Sequence, residues 1–81
     1  MTFIYTAHAQ RTIQERALVR EWVELAILQP DRSEPDPGDS AALRSFKRIP
    51  EAGDRIIRVV HRPEGADILV IPAFLDRGAK L

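Results

Sequence analysis

Residues 55–62, Arg55-Ile56-Ile57-Arg58-Val59-Val60-His61-Arg62, decide the fold of this chain. β-Branched residues fill the centre of the stretch, and successive side chains of a strand point to opposite faces. Ile57, Val59 and His61 then share one face, while Ile56, Arg58, Val60 and Arg62 share the other. Gly-containing turns flank it, Glu51-Ala52-Gly53-Asp54 before and Pro63-Glu64-Gly65-Ala66-Asp67 after. They separate it from a preceding strand expected over 42–49, closed by Pro50, and from a following one over 68–75. Strands joined by such short connections pair antiparallel.

Ahead of this meander, Phe3-Ile4-Tyr5-Thr6 predicts a short first strand. Thr6 is placed to cap a helix over 7–16. Ala9, Ile13 and Ala17 form its narrow apolar stripe, and Arg11 can pair with Glu15 four residues on. A second helix is expected over 20–29, with Trp22, Val23, Leu25, Ala26 and Ile27 inward and Arg20, Glu21 and Glu24 left for solvent. Pro30 ends it. Residues 30–41, polar and proline-rich, read as an extended surface loop with at most a short edge pairing. The expectation is a single α+β domain over 1–81. Two N-terminal helices pack on a small, mostly antiparallel sheet in the order β-α-α-β-β-β.

Helices can cover only one face of a single small sheet. The other face would mix Ile56 and Val60 with arginines, which suits a partner or ligand surface. Alternatively, the loop or the arginine stems lie over those residues.

Composition narrows the chemistry. The chain has no cysteine, hence no disulfide and no thiolate site, and its two histidines are too few for a histidine-only metal site. Neither a cofactor nor a metal is expected. The longest apolar run, 68–75, is interrupted by Pro72 and falls far short of the roughly 20 residues that span a bilayer. With no basic leader at the N-terminus, a cytoplasmic protein without a membrane partner is expected. Ten of the twelve basic residues are arginine, yet the net charge is zero, which argues against unspecific binding to nucleic acid. The balance is uneven: residues 1–40 carry four Arg against seven acids, and 41–81 carry eight Lys/Arg against five acids.

No glycine-rich phosphate loop, Gly-x-Ser-x-Gly turn or metal-ligand spacing is present. RNA cleavage without a metal needs a base for the 2′-hydroxyl, a cation for the phosphate and an acid for the leaving oxygen. Arg58 with His8 and His61 are the candidate catalytic residues, Glu51 being a further proton carrier. Arg48, Arg62 and Arg77 are the candidate phosphate contacts, and Ile56 and Val60 the candidate partner contacts. The bland alternatives are a structural His8 and a merely exposed His61.

Seven short motifs together resemble one bacterial family. They are His8-Ala9-Gln10-Arg11, Arg16-Ala17-Leu18, Glu21-Trp22-Val23-Glu24 through Pro30, Lys47-Arg48-Ile49-Pro50-Glu51, Gly53-Asp54-Arg55, Arg58-Val59-Val60 and Ala73-Phe74-Leu75-Asp76-Arg77. The chain resembles the domain-of-unknown-function 4258 family, related in fold to RelE/ParE-type and BrnT-like toxins. The resemblance covers nearly all of the chain outside 30–41. It implies a RelE-like fold and a toxin-type ribonuclease, or a descendant of one. The partners it implies are an antitoxin protein on the sheet and helix surface, and RNA or the ribosome as target. The rival reading is a non-catalytic interaction module on the same fold, binding another protein or a second copy of itself as a homodimer. Two positions depart from the family pattern. Ala17 stands where Gly or Asn is common, and Pro72 stands where threonine is common, signalling a bulge or an edge.

Overall fold

The computed structural model describes residues 1–81. Its elements are β1 (Phe3–Tyr5), α1 (Ala7–Glu15), α2 (Arg20–Leu28), β2 (Arg32–Asp36), β3 (Asp39–Ile49), a 3₁₀ turn (Pro50–Ala52), β4 (Arg55–Glu64) and β5 (Asp67–Leu75). The expected α+β architecture is present. One five-stranded sheet has the order β1-β5-β4-β3-β2; β1 runs parallel to β5 and every other pairing is antiparallel.

The short edge pairing allowed for within 30–41 is present as a fifth strand, in place of much of the extended loop expected there. Within that stretch Arg32–Asp36 is not a loop but β2, paired with β3 from Arg32↔Phe46 to Pro35↔Leu43. Proline content had masked its extent. Pro35 donates no N–H, and the sheet tolerates it because β2 is an edge strand. The hairpin turns at Pro37-Gly38, where the Gly38 N–H donates to Asp36 Oδ2 at 2.9 Å. β3 accordingly begins at Asp39, three residues before the expected start.

Thr6 caps α1 as expected, its Oγ1 accepting from the Ala9 N–H at 3.0 Å. Ala9 and Ile13 point into the core, but Ala17 does not: it is exposed, and Leu18 takes its place. The cause is backbone geometry. Ala17 has φ 52°, a left-handed residue that breaks the helical stripe and turns the chain into α2. Arg11 and Glu15 form no ion pair. On α2, Val23 and Ala26 are buried while Leu25 is 39% exposed. Glu24, assigned to solvent from the sequence, instead accepts a 2.6 Å hydrogen bond from the Tyr5 hydroxyl. Burial first, then that bond and the Glu24 charge, push the Tyr5 pKa up, against a smaller opposite pull from Arg20.

The helices cover one sheet face. Ala9, Ile13, Leu18, Val23 and Ala26 pack there against Ile49, Ala52, Ile57, Val59, Val70 and Ala73 in one cluster. Burying an aliphatic side chain of this kind stabilises by roughly 1.5–3 kcal/mol. The alternation read from 55–62 therefore holds, with Ile57 and Val59 inside. Pro72 sits at a bulge: Val59 pairs with Ala73 and His61 with Val70, so Ile71 and Pro72 both stand opposite Val60. No helix is long and apolar enough to cross a membrane.

A non-glycine residue in the left-handed region costs roughly 1–2 kcal/mol. Ala17→Gly should recover part of this against the extra unfolded-state entropy of glycine. A gain of roughly 0.5–1 kcal/mol is expected, read as a higher urea midpoint at unchanged slope. Equal or lower stability would show that Ala17 is unstrained.

Candidate functional site

The sheet face turned away from the helices carries most of the strand arginines. Register places Arg32, Phe46, Arg58 and Phe74 side by side across β2, β3, β4 and β5. Within this row the Arg32 guanidinium lies 4.0 Å from the centre of the Phe46 ring, and that of Arg58 lies 4.4 Å from the Phe74 ring. Phe46 is only 2% exposed although it stands outside the helix-packed cluster. Cation–π stacking of this kind contributes about 0.5–2 kcal/mol according to its desolvation. The Arg32 and Arg58 guanidiniums thus lie over the Phe46 and Phe74 rings.

Every arginine of this face except Arg48 also has an acid. Arg32 pairs with Glu34 at 2.7 Å, Arg44 with Asp36 at 3.2 Å, Arg58 with Asp76 at 3.4 Å and Arg62 with Asp39 at 3.0 Å. The Arg58 pair is close enough for charge attraction but poorly aligned, and its buried Nε makes no hydrogen bond. Desolvation pushes the Asp36 carboxyl up, but hydrogen bonds from Arg44 and the Gly38 N–H, with the Arg44 charge, outweigh it and hold its pKa below 3.8. Three of these acids, Glu34, Asp36 and Asp39, come from the β2–β3 hairpin. The acidic N-terminal half neutralises the basic C-terminal half through that hairpin.

The candidate residues do not converge. Arg58 and Arg62 project from the open face beside half-buried Val60. Ile56 shares that face but is buried and so is not an available partner contact. His61 belongs instead to the opposite face with Ile57 and Val59. It is not the exposed strand-end histidine of the bland alternative, being 9% exposed. Its Nε2 lies 2.8 Å from Ser45 Oγ, which lies 3.1 Å from Ser33 Oγ. This chain of hydroxyls runs from a buried imidazole to the exposed Ser33 and can pass a proton either way. The arginines, on the other face, cannot serve it. His8 is exposed on α1; its carbonyl accepts from Thr12 Oγ1 at 2.9 Å, and its ring has no protein partner. Glu51 lies exposed in the 3₁₀ turn.

Arg48 and Arg77 are exposed and hold no carboxylate. Arg48 stands opposite Ile56 in the β3–β4 register. Arg77 lines a cavity of about 250 Å³ together with Arg55, Asp54, Asp76, Ile56 and Leu75. Sequence reasoning missed Arg55, which alternation assigns to the other face. It also missed the Ser33–Ser45–His61 chain, because β2 was unrecognised and Ser33 had no assigned neighbour.

Burial lowers the His61 pKa from its ordinary value of 6.5. The unfolded chain therefore takes up a proton here that the folded chain resists. This stabilisation is complete above the unfolded value and is lost as pH falls from there through the folded one. His61→Gln keeps a partner for Ser45 without that proton. Its stability should fall less steeply than wild type between about pH 7 and about pH 5, followed by urea unfolding at each pH; parallel profiles would sink the assignment.

No protein-family model, no curated protein and no solved structure matches the chain.

Proposed function

We propose that this chain is a non-catalytic protein-interaction module whose open sheet face pairs with a second copy of itself. The observation that carries the reading is the self-neutralised arginine face. A strongly acidic or basic partner gains little from arginines already matched to acids, whereas a second copy meets an equal mixture of both signs. Half-buried Val60, Leu69 and Phe74 supply apolar area between the ion pairs. Strands about 4.8 Å apart, rising about 3.3 Å per residue, give the face roughly 600–800 Å². A standard interface buries about 800 Å² on each partner. Kinship with the domain-of-unknown-function 4258 family and its RelE-like relatives belongs to the same proposal and rests on the motifs quoted above. Sedimentation equilibrium tests it. Wild type is expected to dimerise, and Val60→Asp, which replaces apolar area with a charge at the centre of the face, to weaken the dimer by at least roughly tenfold. A wild-type protein that stays monomeric at every concentration removes the reading.

A second reading, the toxin-type endoribonuclease, draws support from Arg48 and Arg77, whose guanidiniums are free for phosphate. Its partners would be RNA or the ribosome, with an antitoxin protein to restrain it. Induced expression in a bacterial host would then arrest growth, and Arg77→Ala would relieve the arrest. Absence of arrest, together with intact RNA after incubation with purified protein, excludes it.

A further inference from the structure

Pairing with acids sorts the sheet arginines into two sets. Arg32, Arg44, Arg58 and Arg62 each hold a carboxylate within 3.4 Å. The side chains of Arg48, Arg55 and Arg77 pair with none, although the Arg48 backbone N–H donates to Asp31 Oδ2 at 2.9 Å. All three residues fall at one end of the sheet, where β3 ends, β4 begins and β5 has just finished. Arg55 and Arg77 line the cavity there, and Arg48 stands beside its wall, across from Ile56. The unpaired arginines of the sheet and its end are therefore grouped where the surface is concave.

The cavity walls are held in place. Arg55 Nε donates to the Ala52 carbonyl at 2.8 Å, which fixes the side chain and leaves its terminal nitrogens uncommitted. After β5, the Asp76 N–H donates to the Ile56 carbonyl at 2.8 Å, Gly78 N–H to Asp76 Oδ1 at 3.0 Å and Ala79 N–H to the Asp76 carbonyl at 3.4 Å. These bonds fold the tail into a turn that closes one side. Asp76 itself is committed to Arg58 and Gly78. Asp54, exposed and left-handed at φ 62°, is the acceptor left at the rim. Ile56 and Leu75 supply the apolar wall.

We propose that this cavity binds a small hydroxylated phosphate monoester. One guanidinium fork saturates a carboxylate, whereas the two forks of Arg55 and Arg77 match the dianionic charge of a phosphate ester. The apolar wall takes the carbon skeleton, and Asp54 accepts from a ligand hydroxyl. The volume, about 250 Å³, is below the range of about 300–1,000 Å³ typical of drug-sized ligands. It equals roughly eight water volumes at about 30 Å³ each. That suits a triose- or tetrose-sized ester.

The site does not depend on dimerisation, and the two are tested separately. Backbone-amide NMR titration with glycerol phosphate, inorganic phosphate and acetate, at matched ionic strength, reads the proposal directly. Saturable shifts at Ile56, Leu75 and Ala79 are expected with glycerol phosphate, with weaker binding of inorganic phosphate and none of acetate. Arg77→Gln is expected to weaken binding by at least roughly tenfold, the scale of one charge-assisted bond. Ala79→Leu, which fills the cavity without removing charge, should weaken it as well. Arg62→Gln, on an arginine already paired with Asp39, should leave it unchanged. Saturable shifts that survive both Arg77→Gln and Ala79→Leu, or no saturable shift at all, overturn the site. Equal affinity for inorganic phosphate and the ester overturns the organic ligand.

Discussion

Phe46 loses nearly all its solvent exposure on a sheet face that neither helix covers, and the guanidinium lying over its ring makes that possible. An 81-residue chain with two nine-residue helices cannot sandwich five strands. One face takes the helices; the other needs a different cover. The row Arg32–Phe46–Arg58–Phe74 supplies it, with arginine stems and guanidinium planes standing where a third layer would lie. Packing, electrostatics and the character of the surface all follow from that constraint.

Charge matching is its direct consequence. Guanidiniums lying over aromatic rings are partly desolvated, and a desolvated cation is costly unless an anion stands near. Glu34, Asp36, Asp39 and Asp76 fill that role. Exposed pairs of this kind contribute about 0–1 kcal/mol each to stability, so their main effect is to neutralise the face. Three of the four acids reach it because β2 folds back on β3, so the edge hairpin both extends the sheet and supplies counter-charges. Zero net charge, which the composition shows as a global balance, is realised here as local pairing.

Much of the architecture was legible from local chemistry. The Thr6 cap, the Pro30 stop, the turns around Gly53 and Gly65 and the alternation in Arg55–Arg62 are short-range signals, and each appears where expected. Residues 32–36 were legible as no more than a short edge pairing, because proline and acidic side chains disfavour a strand. Their pairing is enforced by β3, to which they are tied by a tight hairpin. Ala17 misled for the opposite reason: helical periodicity continued through a residue whose backbone had left the helix. At the candidate site, alternation assigned Arg58, Arg62, Ile56 and Val60 to one face correctly. It also implied that His61 faces away from them, so geometry separates a catalytic set that chemistry alone had grouped.

The fold class, the face assignments of β4 and the set of arginines to inspect rest on local chemistry: periodicity, caps and turn residues, all of which act over a few positions. Which arginines are spent and which are free is settled by contacts across the fold. Pairing joins residues distant in the chain, such as Arg62 with Asp39 and Arg58 with Asp76, and no local pattern encodes it. For the same reason the Ser33–Ser45–His61 chain and the cavity beside Arg55 and Arg77 emerge only when β2, β3, β4 and the end of β5 are brought together.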